Sequence, residues 1–535
     1  MRWICGLAVA LIAAGLALPL FLPANVLAEV LRPRGGMHVV WAAQDGGDGL
    51  LSTDGQPASA TSKALSTNFS LTNMANGVNT AIISYFKPDG SIWRTSETQT
   101  FTQLGETVIF RQYTDPMLTA GEGSIVIESQ APVDSVVQIR ALNQTPTSAA
   151  YTAVARVTDR GYLPVVLKES EFAFSPVGTA SHSPGSTALF MPSVSRLPIP
   201  LGARANSQII VQNADTESLS FTINLVSGPG TIVYSTPPRN LPPGGSFRYD
   251  LTDDEAAPAG QFSAVVEAAE GRGIAVMSNV LIGADALLSY TAAEAGRTSW
   301  YFPFFFARLA NGQNTAIAVQ NTTTSPIPAG ALSIDCRPAE GSSVGIGVNW
   351  SNAKAVAGLA TFGVDSIYDL NIPAGFVGTC KVTSSSPVHA VAFLRNSQNA
   401  EAAAYEGIDA ATTSRTVVMP LFLRRLSNGF ATVGAFQNLG SQPANIRLEY
   451  RKSAEAPPFV NCDVSINFVI PVGGVLIQNH RVPNGAGNST PWVDENCTGL
   501  IVATADQPIG GVTLITTINA QPGDTMMAHR MFQAP

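Results

Sequence analysis

One short word recurs along this 535-residue chain: an apolar strand that ends on Asn. It reads FSLTN at Phe69 to Asn73, IIVQN at Ile209 to Asn213, AIAVQN before Asn321, and VGAFQN at Val433 to Asn438. The four Asn residues stand 140, 108 and 117 positions apart. Two and four residues before them lie Leu71/Phe69, Val211/Ile209, Val319/Ile317 and Phe436/Gly434, which share one strand face. Ser70, Gln212, Gln320 and Gln437, smaller or polar, fall on the other face. Asn ends such a strand because its side chain bonds nearby backbone and it tolerates the left-handed conformation. A repeat near 110 residues decides the architecture before any single motif does.

Further words keep step with the Asn. A second strand follows each one: TAIISYFKPDG, LSFTINLVSGPG, GALSIDCRPAEG and ANIRLEYRKSAEA. Tyr249-Asp250-Leu251 and Tyr368-Asp369-Leu370 read as one recurring aromatic-acid word ahead of the turns at Pro258 and Pro373. A hairpin is expected around Pro132, Pro387 and Pro508, with Gly273 in the second copy. Copies one to three close on Tyr151, Tyr290 and Tyr405, and the fourth has His529. A Pro-centred apolar phrase recurs as GYLPVVLK, LFMPSVSR, WYFPFFFAR and VVMPLFLRR, with Pro164, Pro192, Pro303 and Pro420. Pro within an apolar run marks an edge or entry strand, so each phrase is read as a first strand or a join. Left exposed, Trp300 to Arg308 would be a sticky patch.

No sustained 3.6-residue apolar period occurs, and short strands between Gly/Pro/Asn turns predict an all-β chain. The expected organisation is four tandem Ig-like β-sandwich modules in an elongated array, preceded by a signal peptide. The boundaries are 1–28 signal peptide, 29–160 module 1 with an irregular N-terminal segment, and 161–186 a Ser/Gly/Pro-rich connector loop. Modules 2, 3 and 4 occupy 187–296, 297–412 and 413–535. The YLPVVLK phrase, the VQN strands and the Pro-centred words resemble the tandem β-sandwich repeats of proteins secreted by Chloroflexi-type bacteria. That resemblance implies location and architecture and carries over no active site.

The N-terminus supports export. Arg2 precedes an uncharged run from Ile4 to Leu22, and Val26-Leu27-Ala28 offers small residues for cleavage after Ala28. The breaks at Pro19 and Pro23 favour a cleaved signal over an uncleaved anchor helix, the one route by which the chain would stay in a membrane. Removing it takes Cys5 away and leaves an even four cysteines. Cys336 and Cys380 fall in one copy of the repeat, Cys462 and Cys497 in the next, so those two pairs are expected as disulfides. A zinc site is disfavoured because no C-x-x-C and no His pair accompanies them. The net charge of −8, with no basic run, argues against nucleic acid.

Motifs with chemical meaning are sparse. Gly341-Ser342-Ser343-Val344-Gly345 matches the nucleophile elbow of hydrolases, but that motif needs a strand-to-helix turn and no helix pattern follows. His38, His182, His389, His480 and His529 are scattered over separate segments. Asp45 to Gly49 and Asp253-Asp254-Glu255 lack the alternating ligands of a calcium loop. Trp93, Trp350 and Trp492 stand near loops, where they could stack on sugar rings or cover core edges. No catalytic residue, metal site or cofactor is therefore expected. The leading expectation is an exported, non-enzymatic structural, adhesion or assembly protein. Its partners would be other surface proteins, cell-envelope polysaccharide or further copies of itself. The alternatives are a glycan-binding accessory protein using the loop Trp residues, and a secreted hydrolase using Ser343.

Overall fold

The four register-marking Asn residues are fully buried and do the same work in each copy. In the computed structural model, Asn321 Oδ1 accepts from the Thr323 amide at 3.0 Å while Nδ2 donates to the carbonyls of Ser325, Val356 and Ala357. Asn438 repeats this with Gly440, Gln442, Ile470 and Pro471, and Asn213 with Asp215, Glu217 and Leu241. Asn73 bonds Ala75, Gly77 and Gln103. None of the four has positive φ, so they serve by hydrogen bonding alone. The structure describes residues 65–534, except 112–114, 120, 142–147, 153–160, 164–165, 169–186, 197–204, 270–272, 283–285, 295, 341, 370, 397, 399–400, 484–489 and 519–523. The signal segment and module 1's N-terminal segment lie outside these residues.

Among the described residues the chain is all-β, and its strands fall into four units of two layers, the layers being separate sheets in the first two and joined by one long strand into an eight-stranded sheet in the last two. In the second, Thr187–Arg196, Ala205–Asn213, Leu219–Val226, Ile232–Ser235, Ser246–Asp250, Gly260–Ala268, Ile274–Ile282 and Ala286–Thr291 serve as strands one to eight. Strands one, six, three and four form one sheet, with the short strand Arg239–Leu241 also paired to strand three, and five, two, seven and eight form the other. An immunoglobulin domain instead keeps its second strand beside its first. The third and fourth units repeat the pairing, with strands six and seven fused into Phe376–Asn396 and Cys497–Thr517. Here the expected hairpin is corrected. Strands six and seven belong to opposite layers, and Pro387 and Pro508 sit inside one continuous strand that crosses between them. Proline lacks the donor a ladder would need, so pairing changes partners there.

The Pro-centred phrases are first strands: Thr187–Arg196 lies at its sheet's edge, whereas Arg297–Ala307 and Ser414–Arg424 each carry a further two-residue strand outside them, Ile408–Asp409 and Phe532–Gln533. Each shifts register across its proline, between Met191 and Val194, Phe302 and Phe305, and Met419 and Phe422. The bulge is the direct consequence of a residue with no N–H. Trp300 to Ala307 is buried apart from the half-buried Tyr301, so this apolar run is strand and seam rather than an exposed patch.

The expected elongated array is overturned. The first sheet of each unit packs its outer face on the second sheet of the next, and the fourth unit packs on the first. At the first seam Ile210, Ala275 and Met277 join the core that holds Val126. At the second, Ser263 Oγ donates to the Leu359 carbonyl at 2.7 Å and Thr361 Oγ1 to the Pro192 carbonyl at 2.8 Å. Val433, Ala435, Val512 and Leu514 of the fourth unit share the third unit's core. Met74, Val136 and Ala150 of the first unit meet Val418, Leu500, Val502 and Met527 of the fourth. A head-to-tail interface that closes makes a ring. The polar strand face is covered too: Ser70, Gln212, Gln320 and Gln437 are buried, because the preceding unit in the ring packs on that side.

The first unit takes its first-strand position from downstream. Gly161–Leu163 and Val166–Lys168 are strands paired with Ser124–Ser129, so this part of the expected connector loop is sheet. Leu163 faces Ile125 as Met191 faces Ala264, each just before the phrase's proline.

Candidate functional site

The eighth strands, Ser148–Thr152, Ala286–Thr291, Glu401–Glu406 and Met527–Arg530, pack around one axis, each against its two neighbours in the ring. Only Arg530 among them is not fully buried. Small side chains such as Ala149, Ala150, Ala402, Ala404 and Ala528 let four backbones approach. In the second and third units the recurring Tyr of this strand reaches its own unit's proline bulge. Tyr405 Oη donates to the Phe304 carbonyl and accepts from the Phe304 amide, and Tyr290 does the same with Ser193.

A single residue ties the bundle at one end. Asp524, from the fourth unit, accepts from the amides of Leu287 at 2.7 Å and Ala402 at 3.2 Å. Its own carbonyl accepts from Ser148 Oγ at 3.0 Å. All four units thus meet at one buried side chain and its backbone. Burial pushes the Asp524 carboxyl well above the usual carboxylate range, against the pull of the Leu287, Met526 and Ala402 amides. Glu401 lies nearby and accepts from Thr525 Oγ1 at 2.8 Å and Asn396 Nδ2 at 3.0 Å.

At the other end, Thr152, Thr291, Glu406 and Arg530 occupy the same position in the four units, each following the Tyr or His529. Glu406 accepts from the Thr291 amide at 2.6 Å and hydroxyl at 2.7 Å and pairs with Arg530 at 3.7 Å. Burial raises the half-buried Asp134 to about 7, opposed by the Ser135 amide and Arg530. His389 packs edge-on to Trp300 at 5.6 Å, and burial, helped by Arg530, lowers it to about 3. His480, inside the fourth unit beside Tyr450 and Arg424, is lowered to about 3, and His529 to about 4, both mainly by burial. These are core histidines from separate segments; the His480 ring nitrogens meet the hydroxyls of Thr432 and Tyr450, each at 3.2 Å. Among the described residues no group of three His, Cys, Asp or Glu is placed to hold a metal.

The seam between the second and third units holds a cavity of about 490 Å³, lined by Phe262, Ile282 and Phe393 and by the Asp365–Arg395 pair. The corresponding space between the first and second units is about 240 Å³. By strand register, Gly228 and Gly363 stand where that seam has Pro88 and Arg248. Arg248 spans the first seam to Glu122 at 2.9 Å, and the glycines leave the second one open.

Cys336 bonds Cys380, its direct partner across strands three and six, and Cys462 bonds Cys497. Trp93, Trp350 and Trp492 are half-buried in three different units and form no common row. Trp93 donates to Thr119 Oγ1 at 3.0 Å, Trp350 donates to Asp369, and Trp492 packs on Phe468. Ser343 lies on an exposed turn with its hydroxyl 3.4 Å from the Gly375 carbonyl. Asp254 accepts from Tyr234 and Tyr249, which hold its carboxyl low. His38, His182 and Asp45 to Gly49 lie outside the described residues.

The Tyr-Asp word is corrected. Asp250 and Asp365 occupy one strand position, and Asp369 corresponds to Asp254. Tyr249 is buried while Tyr368 is exposed. Counting back from the turns at Pro258 and Pro373 would have found the true pair, since each acid lies four residues before its proline. Asp524, the bundle's tie, stands five residues before His529 as Asp285 stands five before Tyr290, and that shared offset was the signal that could have singled it out.

No protein-family model matches the chain, and no curated protein matches it. Among solved structures it is similar to the crystal structure of Thermotoga maritima 1070, at 13% identity over 21% of this chain and 95% of that one. The TM-score of 0.17 is too low to carry an argument.

Proposed function

We propose that this is an exported, non-enzymatic protein whose four sandwich modules, Ig-like in architecture though not in strand order, act as a rigid scaffold in surface structure, adhesion or assembly. The observation behind this reading is the closure of four like units around a buried strand bundle, which devotes the polar groups at the axis to holding the ring. Two disulfides suit an oxidising compartment. No helix among the described residues is long and apolar enough to cross a membrane. Partners would meet the exposed turns and rim, as surface proteins or envelope polysaccharide. Fractionation of producing cells, with the intact mass of the purified chain, tests this. A mature chain beginning at Glu29 and held by the cell envelope supports it. A full-length chain confined to the cytoplasm, or a hydrolytic activity abolished by Ser343→Ala, contradicts it.

A further inference from the structure

Three of the four seams join units that are consecutive in the chain. The fourth, between the last unit and the first, is held by side chains and packing alone. Its core is Met74, Val136 and Ala150 against Val418, Leu423, Leu500, Val502 and Met527. Arg111 pairs with Glu455 at 2.8 Å, and Arg451 Nη1 donates to the Leu104 carbonyl at 2.6 Å. The first unit is also joined to the second differently from the rest. Eighteen residues, 169–186, separate Lys168 from Thr187, whereas only five, 292–296, separate Thr291 from Arg297. Its first-strand position is filled by Gly161–Leu163, ahead of that stretch, so its sheets borrow no strand from the second unit.

We propose that the first unit is exchangeable between copies: it docks on the fourth and second units of a second copy of this chain, and that copy's first unit docks in return. Every seam is then rebuilt with the same residues, so the exchanged pair and two closed single chains differ mainly in the entropy of association. Fully extended, eighteen residues reach about 60 Å, on the scale of two such rings lying side by side. The apolar seams must open first, so exchange is slow and favoured where chains are concentrated, as on a crowded surface. This inference does not depend on the export reading.

The test uses two full-length mature chains with different tags, Arg111→Glu and Glu455→Arg. Alone, each places like charges across its closing seam. Only exchange between the two repairs both rings at once, since each then faces Glu with Arg. The chains are mixed at high concentration, warmed toward the unfolding midpoint, cooled, and examined by light scattering and two-tag capture. Expected is a double-mass species carrying both tags, enriched about threefold over that formed by either chain alone, the scale of a partly exposed ion pair. The unaltered chain should form the same species in proportion to concentration. Only single-mass particles in the mixture and in the unaltered chain would overturn the proposal, as would a double-mass species no more abundant in the mixture.

Discussion

Tyr405 Oη lies 2.5 Å from the carbonyl oxygen of Phe304 and 3.2 Å from its amide nitrogen, answering both backbone groups of the residue that follows Pro303. The proline opens the ladder and the tyrosine, about a hundred residues later, closes it. Tyr405→Phe should leave both Phe304 groups buried without a partner and destabilise by about 1–3 kcal/mol. Tyr368→Phe, at an exposed tyrosine, should change stability by less than about 0.5 kcal/mol. Denaturant midpoints of the two variants, measured side by side, check the contrast.

Asn321 offers a test by chemical identity. Replacement by Ala removes a donor that satisfies three carbonyls, at a cost of about 1–3 kcal/mol. Replacement by Asp keeps the acceptor for Thr323 but points a second oxygen at those carbonyls. Midpoints should therefore fall in the order Asn, Ala, Asp. An Asp variant as stable as the native protein would contradict the donor role.

Four buried groups and the half-buried Asp134 shape the response to pH. His389, His480 and His529 have depressed folded values of about 3, 3 and 4 against 6.5 unfolded, so the unfolded chain binds more protons as pH falls below 6.5. Each contributes stability that is lost on acidification, up to about 1.4 kcal/mol per pH unit. Asp134 and Asp524 are raised above 3.8, so their contribution is present at low pH and is lost as pH rises, through about 7 for Asp134. Three rising terms exceed two falling ones between pH 4 and 6.5, and only the falling ones remain above. Thermal midpoints should peak near pH 6.5, and His389→Leu should flatten the acid limb.

The three tryptophans should behave as packing residues. Trp350→Ala removes the donor to Asp369 and the ring beside Phe305, and should cost about 3–5 kcal/mol if the edge cannot collapse. Trp93→Ala removes the indole that packs on Gly123, where a Cβ would meet the Phe86 carbonyl oxygen at 2.2 Å and the indole at 2.5 Å. Both variants should unfold earlier than the native chain. A loss of polysaccharide binding with no change in midpoint would favour the sugar-stacking alternative.

Much of the unit was legible because it is local. Asn321 and its counterparts, the proline phrases and the cysteine pairs act within one repeat, where spacing carries the information. The ring was not legible, because closure depends on the rotation between successive units, and no residue spacing encodes an angle. The same gap hides the burial of Gln212, Gln320 and Gln437: alternation identifies two strand faces but not what covers the second. The hairpin error at Pro387 arose because two strands joined by a proline read alike whether they pair or part.

Small-angle scattering on the mature chain tests the closed ring most directly. A compact particle of this length has a radius of gyration of about 23 Å, and four lobes in single file would give about twice that. A value in the middle to upper twenties, with a single-peaked distance distribution, is predicted. A value above about 40 Å with a long tail would mean that the fourth unit does not rest on the first.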